Sequence, residues 1–351
     1  LDIITEEQFW NYNRSLTDFS ECKESYASYL DNGVYSLTES EDLENEQEEI
    51  NINRKDNTQV ILYGPPGTGK SFKATEIIKE SYPNYGSLNV DNPYVFRTTI
   101  YPEYTYQDFV GTIMPKVTKD EKEGNSITYE FIPGVFTKAL ATAFKYPEND
   151  VYLVIEEMSR GNIAAIFGDI FQLLDRDEEG KSEYQIKNDL IGQLLEDDEI
   201  TIVNNNIFLP KNLQLIGTVN TSDQNVFVMD TAFKRRFEFE YIDIDPVKDV
   251  RTGDYLNNFK FRLDGYKVNW IDFYQALNKF IIGELELPED KQIGQFFLKF
   301  DKSNDDTNFR QIYNKLLQYL WEDVQSVSIT DIKLFKDDFR SFSEAYKALK
   351  N

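Results

Sequence analysis

The sequence predicts an α/β protein: a doubly wound parallel sheet with helices on both faces, followed by a smaller C-terminal helical lid. Three observations predict it. Apolar runs at 58–63 (TQVILY), 151–155 (VYLVI) and 213–219 (LQLIGTV) are bounded by polar turns, and each precedes a helical pattern. Strands buried on both faces of a parallel sheet read this way. The first run leads straight into Gly64, Pro65, Pro66 and Gly67, so strand, glycine loop and helix follow in order. Beyond Pro246, stretches 270–280 and 309–321 carry apolar residues at three- and four-residue intervals, which suits a small helical lid.

At 351 residues and 40% hydrophobic, the chain can bury one α/β domain and a smaller one. The expected divisions are a helical and acidic linker segment at 1–50, an α/β nucleotide-binding domain at 51–245 and the lid at 246–351. The first of these combines Phe9, Trp10, Tyr12 and Phe19 with the acidic run TESEDLENEQEEIN. Between 176 and 210 the chain is polar and irregular, so an exposed loop or hairpin insertion is expected there.

A formal net charge of −25 repels phosphate backbones unless basic groups are locally clustered, so it reads both as a solubilising surface and as an expectation that any DNA contact belongs to another domain or subunit. With no histidine, the Ser/His/Asp and Cys/His nucleophilic sites and the histidine zinc sites are excluded. Chemistry must rest on carboxylates, Lys, Arg, hydroxyls and metal-bound water. The single cysteine, Cys22, makes no internal disulfide, and no apolar run approaches 20 residues, so no membrane span and a cytoplasmic setting are expected. LDIITEEQFW lacks the pattern of a signal peptide, and a start at Leu1 suggests that something upstream has been removed.

Residues Gly64, Pro65, Pro66, Gly67, Thr68, Gly69, Lys70 and Ser71 fit G-x-x-x-x-G-K-[ST]. The glycines let backbone N–H groups turn toward phosphate oxygens, Lys70 reaches the β and γ phosphates, and Ser71 ligates Mg²⁺. The helix that follows aims its positive end at the same anion. The run 151–155 ends in Glu156 and Glu157, two carboxylates at the C-terminal edge of a strand, where open α/β sheets bind ligands. Glu156 is expected to hold Mg²⁺ through water, and Glu157 to orient and activate the attacking water. The run 213–219 leads into Asn220, Thr221, Ser222 and Asp223; an amide there positions the lytic water or senses the γ phosphate, and the same residues cap helices. Downstream, Lys234, Arg235 and Arg236 form a basic cluster that suits either dipole complementation or a finger onto a neighbour's nucleotide.

GPPGTGKS, VIEEMSRGNIAAIFGDIFQLLDRD, LIGTVNTSDQ and MDTAFKRRFEF, with YPEYTYQDFVGTIMPKV at 101–117, together resemble the AAA+ module of the McrB family, the NTP-hydrolysing subunits of modified-cytosine restriction systems. The likeness spans 58–245. It implies an AAA+ P-loop NTPase fold, a hexameric ring and an Asn-Thr-x-Asp signature at Asn220, Thr221 and Asp223. It also implies arginine fingers at Arg235 and Arg236, an McrC-like nuclease partner, and GTP favoured over ATP with Mg²⁺. Ser159, Arg160, Gly161 and Asn162 match an Asn-Arg-x-Asn stretch with Ser first, while Glu156 replaces the commoner Asp and Val219 the commoner Met. In the lid motif at 286–300, Gln295 stands where His is expected. No DNA-reading domain of that family is recognisable. A AAA+ factor that remodels protein or nucleic-acid complexes is the competing expectation, weakened by isolated aromatics, Tyr184 and Phe208, in the insertion.

Overall fold

The computed structural model describes residues 58–350 apart from 87–91, 121–123, 201, 222–230, 250, 264–265, 302, 329 and 336–338. The segment 1–50, Cys22 and Asp223 lie outside the described residues. Two compact units are present, one of 53–243 and one that includes 244–351.

The larger unit begins with β1 (Gln59–Gly64), the glycine loop and α1 (Lys70–Ser81). The helix starts where Gly69 turns the chain at φ 100°, buries Ala74 and Ile78, and ends as the Tyr82 N–H bonds the Ile78 carbonyl just before Pro83. There follow β2 (Val95–Thr99), the short α2 (Tyr106–Phe109) and a hairpin of β3 (Gly111–Asp120) with β4 (Gly124–Pro133). α3 (Val135–Lys145) buries Phe136, Ala139, Leu140 and Ala143, an i, i+3, i+4, i+7 stripe that seats it on the sheet. β5 (Val151–Glu156) and α4 (Ile163–Phe167) come next, then β6 (Ile186–Lys187), α5 (Asp189–Asp197) and β7 (Asn206–Ile207). β8 (Leu213–Asn220), the four-residue α6 (Thr231–Lys234) and β9 (Glu238–Tyr241) complete the unit.

Five of these strands form one parallel sheet in the order β2-β5-β8-β1-β9. The three central strands are the three apolar runs, buried on both faces. One face packs on Phe109, Phe136, Leu140, Ile166 and Phe167; the other packs on Ala74 and Ile78 of α1. The edge strands differ in composition: β9 reads Glu-Phe-Glu-Tyr and β2 carries Arg97, charges that suit an open edge.

The 176–210 insertion is more built than a loop. α5 starts where the Asn188 side chain accepts from the Ile191 N–H, and it turns Ile191 and Leu195 into the core beside Ile207 and Leu209. Arg176 fastens the insertion: Nη1 donates to the carbonyls of Gly180, Leu209 and Pro210, Nη2 to that of Leu213, and Nε to Gln59 Oε1. Burial pulls this guanidinium down to about 9, and carbonyl oxygens on every side keep it solvated inside the protein.

The unit that includes 244–351 has its own core around α7 (Trp270–Gly283), with Trp270, Phe273, Tyr274, Leu277 and Phe280 buried. The expected helix at 309–321 is part of a longer one, Asp305–Gln325 in sequence, whose turns at 312–316 and 320–325 are π-helical. This unit also holds an antiparallel hairpin, β10 (Lys260–Leu263) with β11 (Tyr266–Asn269). Gln295 is one of its struts. It is 1% exposed, accepts from the Val247 N–H and donates to the carbonyls of Val247 and Leu256, so it ties the 247–256 segment to the 293–298 segment.

Candidate active site

The glycine loop joins the carboxyl end of β1 to α1, and its glycines are there for geometry. Gly64, Gly67 and Gly69 all have positive φ, and a Cβ on Gly64 would stand 2.5 Å from the Ile242 carbonyl oxygen. No side chain caps the first turn of α1, so its N–H groups face the loop. Lys70 is 7% exposed and folds its ammonium onto the loop, donating to the carbonyls of Gly64 (2.9 Å) and Pro65 (2.8 Å). Thr68 ties the loop further through Oγ1 to the Pro65 carbonyl at 3.1 Å. Ser71 is exposed on the first turn.

The sheet order sets the remaining residues beside this loop. Gly64 is the register partner of Asn220, and the Thr221 N–H bonds the Gly64 carbonyl at 3.2 Å. β5 lies on the other side of β8, so the two acids after Ile155 leave the sheet at the same carboxyl edge. Glu157 sits in the left-handed region at φ 57°, ψ 41°, a conformation that costs a non-glycine residue on the order of 1–2 kcal/mol. What holds it is a set of contacts around the turn. Its N–H donates to Thr218 Oγ1 at 3.2 Å, and Met158 is buried against Gly217, where a Cβ would come within 2.2 Å of Sδ. The Asn220 amide donates to both carboxylate oxygens of Glu157, each at 2.8 Å, and Arg160 Nε lies 3.3 Å from Oε2. The carboxylate plane is thereby fixed by two neighbouring elements.

Glu156 points elsewhere. Its Oε1 pairs with Arg97 Nη1 at 3.0 Å, while Arg97 also donates to Tyr85 Oη and Thr75 Oγ1. Arg97 and Thr218 as partners of the two acids were not singled out in the sequence, and Arg160 was named there only within the 159–162 stretch; the signal for Arg97 was a cation inside an otherwise strand-like run, VFRTT.

The basic cluster divides. Arg236 turns inward, with a side chain 8% exposed: Nη2 meets Asp175 Oδ2 at 2.6 Å, Nη1 donates to the Ala232 carbonyl, and the guanidinium lies 4.1 Å from the Phe171 ring centre. Arg235 is exposed. Both border a recess that Gln59, Arg176, Glu183 and Glu238 also line. Asp223 lies outside the described residues.

An Mg²⁺ ion keeps several waters and takes one or two protein oxygens plus phosphate oxygens. The hydroxyl of Ser71 and the carboxylate of Glu156 are such donors, and no cluster of three or more His, Cys, Asp or Glu able to hold a metal without a nucleotide is found among the described residues. The residues fit the group. Among the described residues, no helix is long and apolar enough to cross a membrane.

Residues 59–237 match the AAA domain family, dynein-related subfamily. The chain is 36% identical over 312 residues to the type II restriction enzyme BsuMI component YdiS of Bacillus subtilis (strain 168), covering 83% of this chain and 86% of that protein. It is 29% identical over 191 residues to the type IV methyl-directed restriction enzyme EcoKMcrB subunit of Escherichia coli (strain K12), covering 54% of this chain and 36% of that one. The chain thus spans little more than a third of the second relative's length. A closed-state cryoEM reconstruction titled Hsp104:ATPyS and FITC casein overlaps 75% of this chain and 40% of that chain at 14% identity and TM-score 0.30, which adds nothing to the topology above.

Proposed function

We propose that this chain, which belongs to the dynein-related subfamily of AAA domains and to the family of the BsuMI component YdiS, is the Mg²⁺-dependent nucleoside triphosphatase of a restriction system, working as a ring, a hexamer, beside an McrC-like nuclease. The observation that carries hydrolysis is Glu157: an acid held in a strained turn at the carboxyl edge of the sheet, its plane fixed by Asn220, one strand away from the phosphate loop.

Backbone N–H groups of the loop and of the first turn of α1 bind the triphosphate, and Lys70 moves from its two loop carbonyls onto the β and γ phosphates. Ser71, and Glu156 through water, would hold Mg²⁺, which when bound would neutralise charge on the transferred phosphoryl group. Glu157 accepts the proton of the attacking water, and Asn220 keeps the carboxylate and that water in line. Asp223 belongs to the nucleotide-contacting signature. Arg235 crosses to the nucleotide of the adjacent subunit as the finger, and Arg236 fixes the segment that presents it. Among nucleotides GTP is preferred to ATP; this rests only on the likeness of the stretch from Asn220 to Asp223 to the McrB family. Restriction is supported by the names of the two relatives, and DNA is read by another domain or subunit, as a net charge of −25 favours.

Turnover of GTP and of ATP, measured with and without the product of the neighbouring gene, tests this. Faster GTP turnover, stimulated by a neighbouring nuclease subunit, is expected. ATP turnover that exceeds GTP turnover reverses the nucleotide preference, and hydrolysis indifferent to that subunit removes the proposed partner.

A further inference from the structure

We propose that Arg97 is a positioning residue that acts as the resident counter-charge of Glu156, keeping a divalent cation off that acid until one arrives with a nucleoside triphosphate. The inference rests on the reading of Glu156 as the metal-holding acid. Arg97 stands two residues before Thr99, the register partner of Glu156, and side chains two apart share a face of a strand. The guanidinium therefore meets the carboxylate on the diagonal, Nη1 to Oε1 at 3.0 Å.

Its other nitrogens are committed as well. Nε donates to Tyr85 Oη at 2.8 Å and Nη2 to Thr75 Oγ1 at 3.1 Å, with the Tyr85 ring centre 5.7 Å from Cζ. Thr75 in turn donates to the carbonyl of Ser71 at 2.9 Å. One cation is thus tied both to the helix that carries Ser71 and to the strand end that carries Glu156. An arginine that meets an acid by chance gives up its rotamer freedom for a single screened contact; here three partners from separate parts of the unit fix the guanidinium.

The length of Glu156 belongs to the same device. An aspartate would end about 1.5 Å short, one carbon–carbon bond, and would leave the pair with Arg97 unmade. Glu157, by contrast, already has Asn220 and Arg160 against it. Each of the adjacent acids therefore carries its own cation, in a chain whose net charge of −25 draws divalent ions. Once triphosphate oxygens are bound at the loop, the added negative charge favours the metal over the screened, partly exposed Arg97 pair.

Mn²⁺ binding to the full chain without nucleotide, read from the free-ion electron paramagnetic resonance signal, tests this without turnover. Arg97→Gln is expected to bind Mn²⁺ about tenfold more tightly, the size of effect for one unit charge removed at a partly exposed site. Arg97→Lys, which keeps the charge, is expected to stay near the parent. Glu156→Asp keeps the acid but withdraws it from Arg97, and is expected to gain affinity too, which covers the case of an Arg97→Gln protein that does not fold. In Arg97→Gln/Glu156→Gln the gain is expected to vanish. Unchanged affinity in both single variants, or a gain that survives the double substitution, overturns the proposal. The underlying reading is checked apart: with a non-hydrolysable GTP analogue bound, Glu156→Gln must weaken Mn²⁺ binding, and if it does not, Glu156 is not the metal-holding acid.

Discussion

Arg235 and Arg236 are adjacent, yet one side chain is exposed and the other is turned inward onto Asp175, and replacing each with alanine tests the separate roles proposed for them. Arg236→Ala removes a charge pair whose arginine is 8% exposed and whose partner, Asp175, is 26% exposed. Breaking a fully buried pair costs about 3–5 kcal/mol; with Asp175 partly wetted, about 2 kcal/mol is the appropriate share. The stacked Phe171 contact adds about 1 kcal/mol. A loss of about 3 kcal/mol in a unit of this size lowers Tm by roughly 6–12 °C. Arg235 is exposed, so Arg235→Ala is expected to leave stability within about 0.5 kcal/mol, while turnover at saturating nucleotide falls about 10³-fold, the lower bound for loss of an arginine finger. Differential scanning fluorimetry and steady-state phosphate release read the two quantities on the same samples. An Arg236→Ala protein that melts like the parent but has lost as much turnover as Arg235→Ala would refute the division, because Arg236 must then leave its pocket to act.

Glu157→Gln is expected to retain nucleotide affinity and lose turnover by about 10²–10⁴-fold, as deletion of a general base does; unchanged turnover removes Glu157 from the role. Lys70→Ala is expected to lose binding in a fluorescent-nucleotide titration, and retained affinity contradicts the loop reading. Gly217→Ala places a Cβ 2.2 Å from Met158 Sδ and 3.1 Å from Ile61 Cγ1, so a loss of about 1–3 kcal/mol is expected; a chemical-denaturation midpoint equal to the parent's shows that the Met158 turn can move. When Arg235→Ala protein is mixed with Glu157→Gln protein, a site completed by the neighbour predicts partial recovery of turnover, since some interfaces then pair an intact arginine with an intact Glu157; no recovery shows that each subunit is self-contained.

The central sheet was legible because β1, β5 and β8 are buried on both faces, and that demands uninterrupted apolar runs. The edges were not. β9 alternates acid and aromatic over only four residues, and β2 spends two of its five positions on threonine and one on Arg97. The β3–β4 hairpin also escaped notice, for a different reason: Ile113, Val117, Ile127 and Tyr129 share one face by register and are between 51% and 75% exposed, and although Phe131 at the base of that face packs on the core, little of the hairpin carries a burial pattern. Likewise α5 is nine residues with polar flanks, and only Ile191 and Leu195, four apart, betray its buried side.

In the candidate site, what a local string specifies was legible, and what distance along the chain specifies was not. Three glycines and a lysine encode a loop shape by themselves, and two acids after an apolar strand encode a sheet edge. Arg97 finds Glu156 across 59 positions, and Arg236 finds Asp175 across 61, so neither pairing leaves a trace in composition or period. The basic cluster shows what decides such cases. Phe233 and Phe237 are both buried, their rings stack at 5.0 Å, and Phe171 stacks on Phe233 from the 3₁₀ segment Gly168–Leu174. Those anchors fix the turn of the chain between them. Lys234 and Arg235 are left facing solvent while Arg236 is drawn back over Phe171. The sequence supplies three cations in a row; the two phenylalanines on either side of them choose which one is drawn inward and which two face outward.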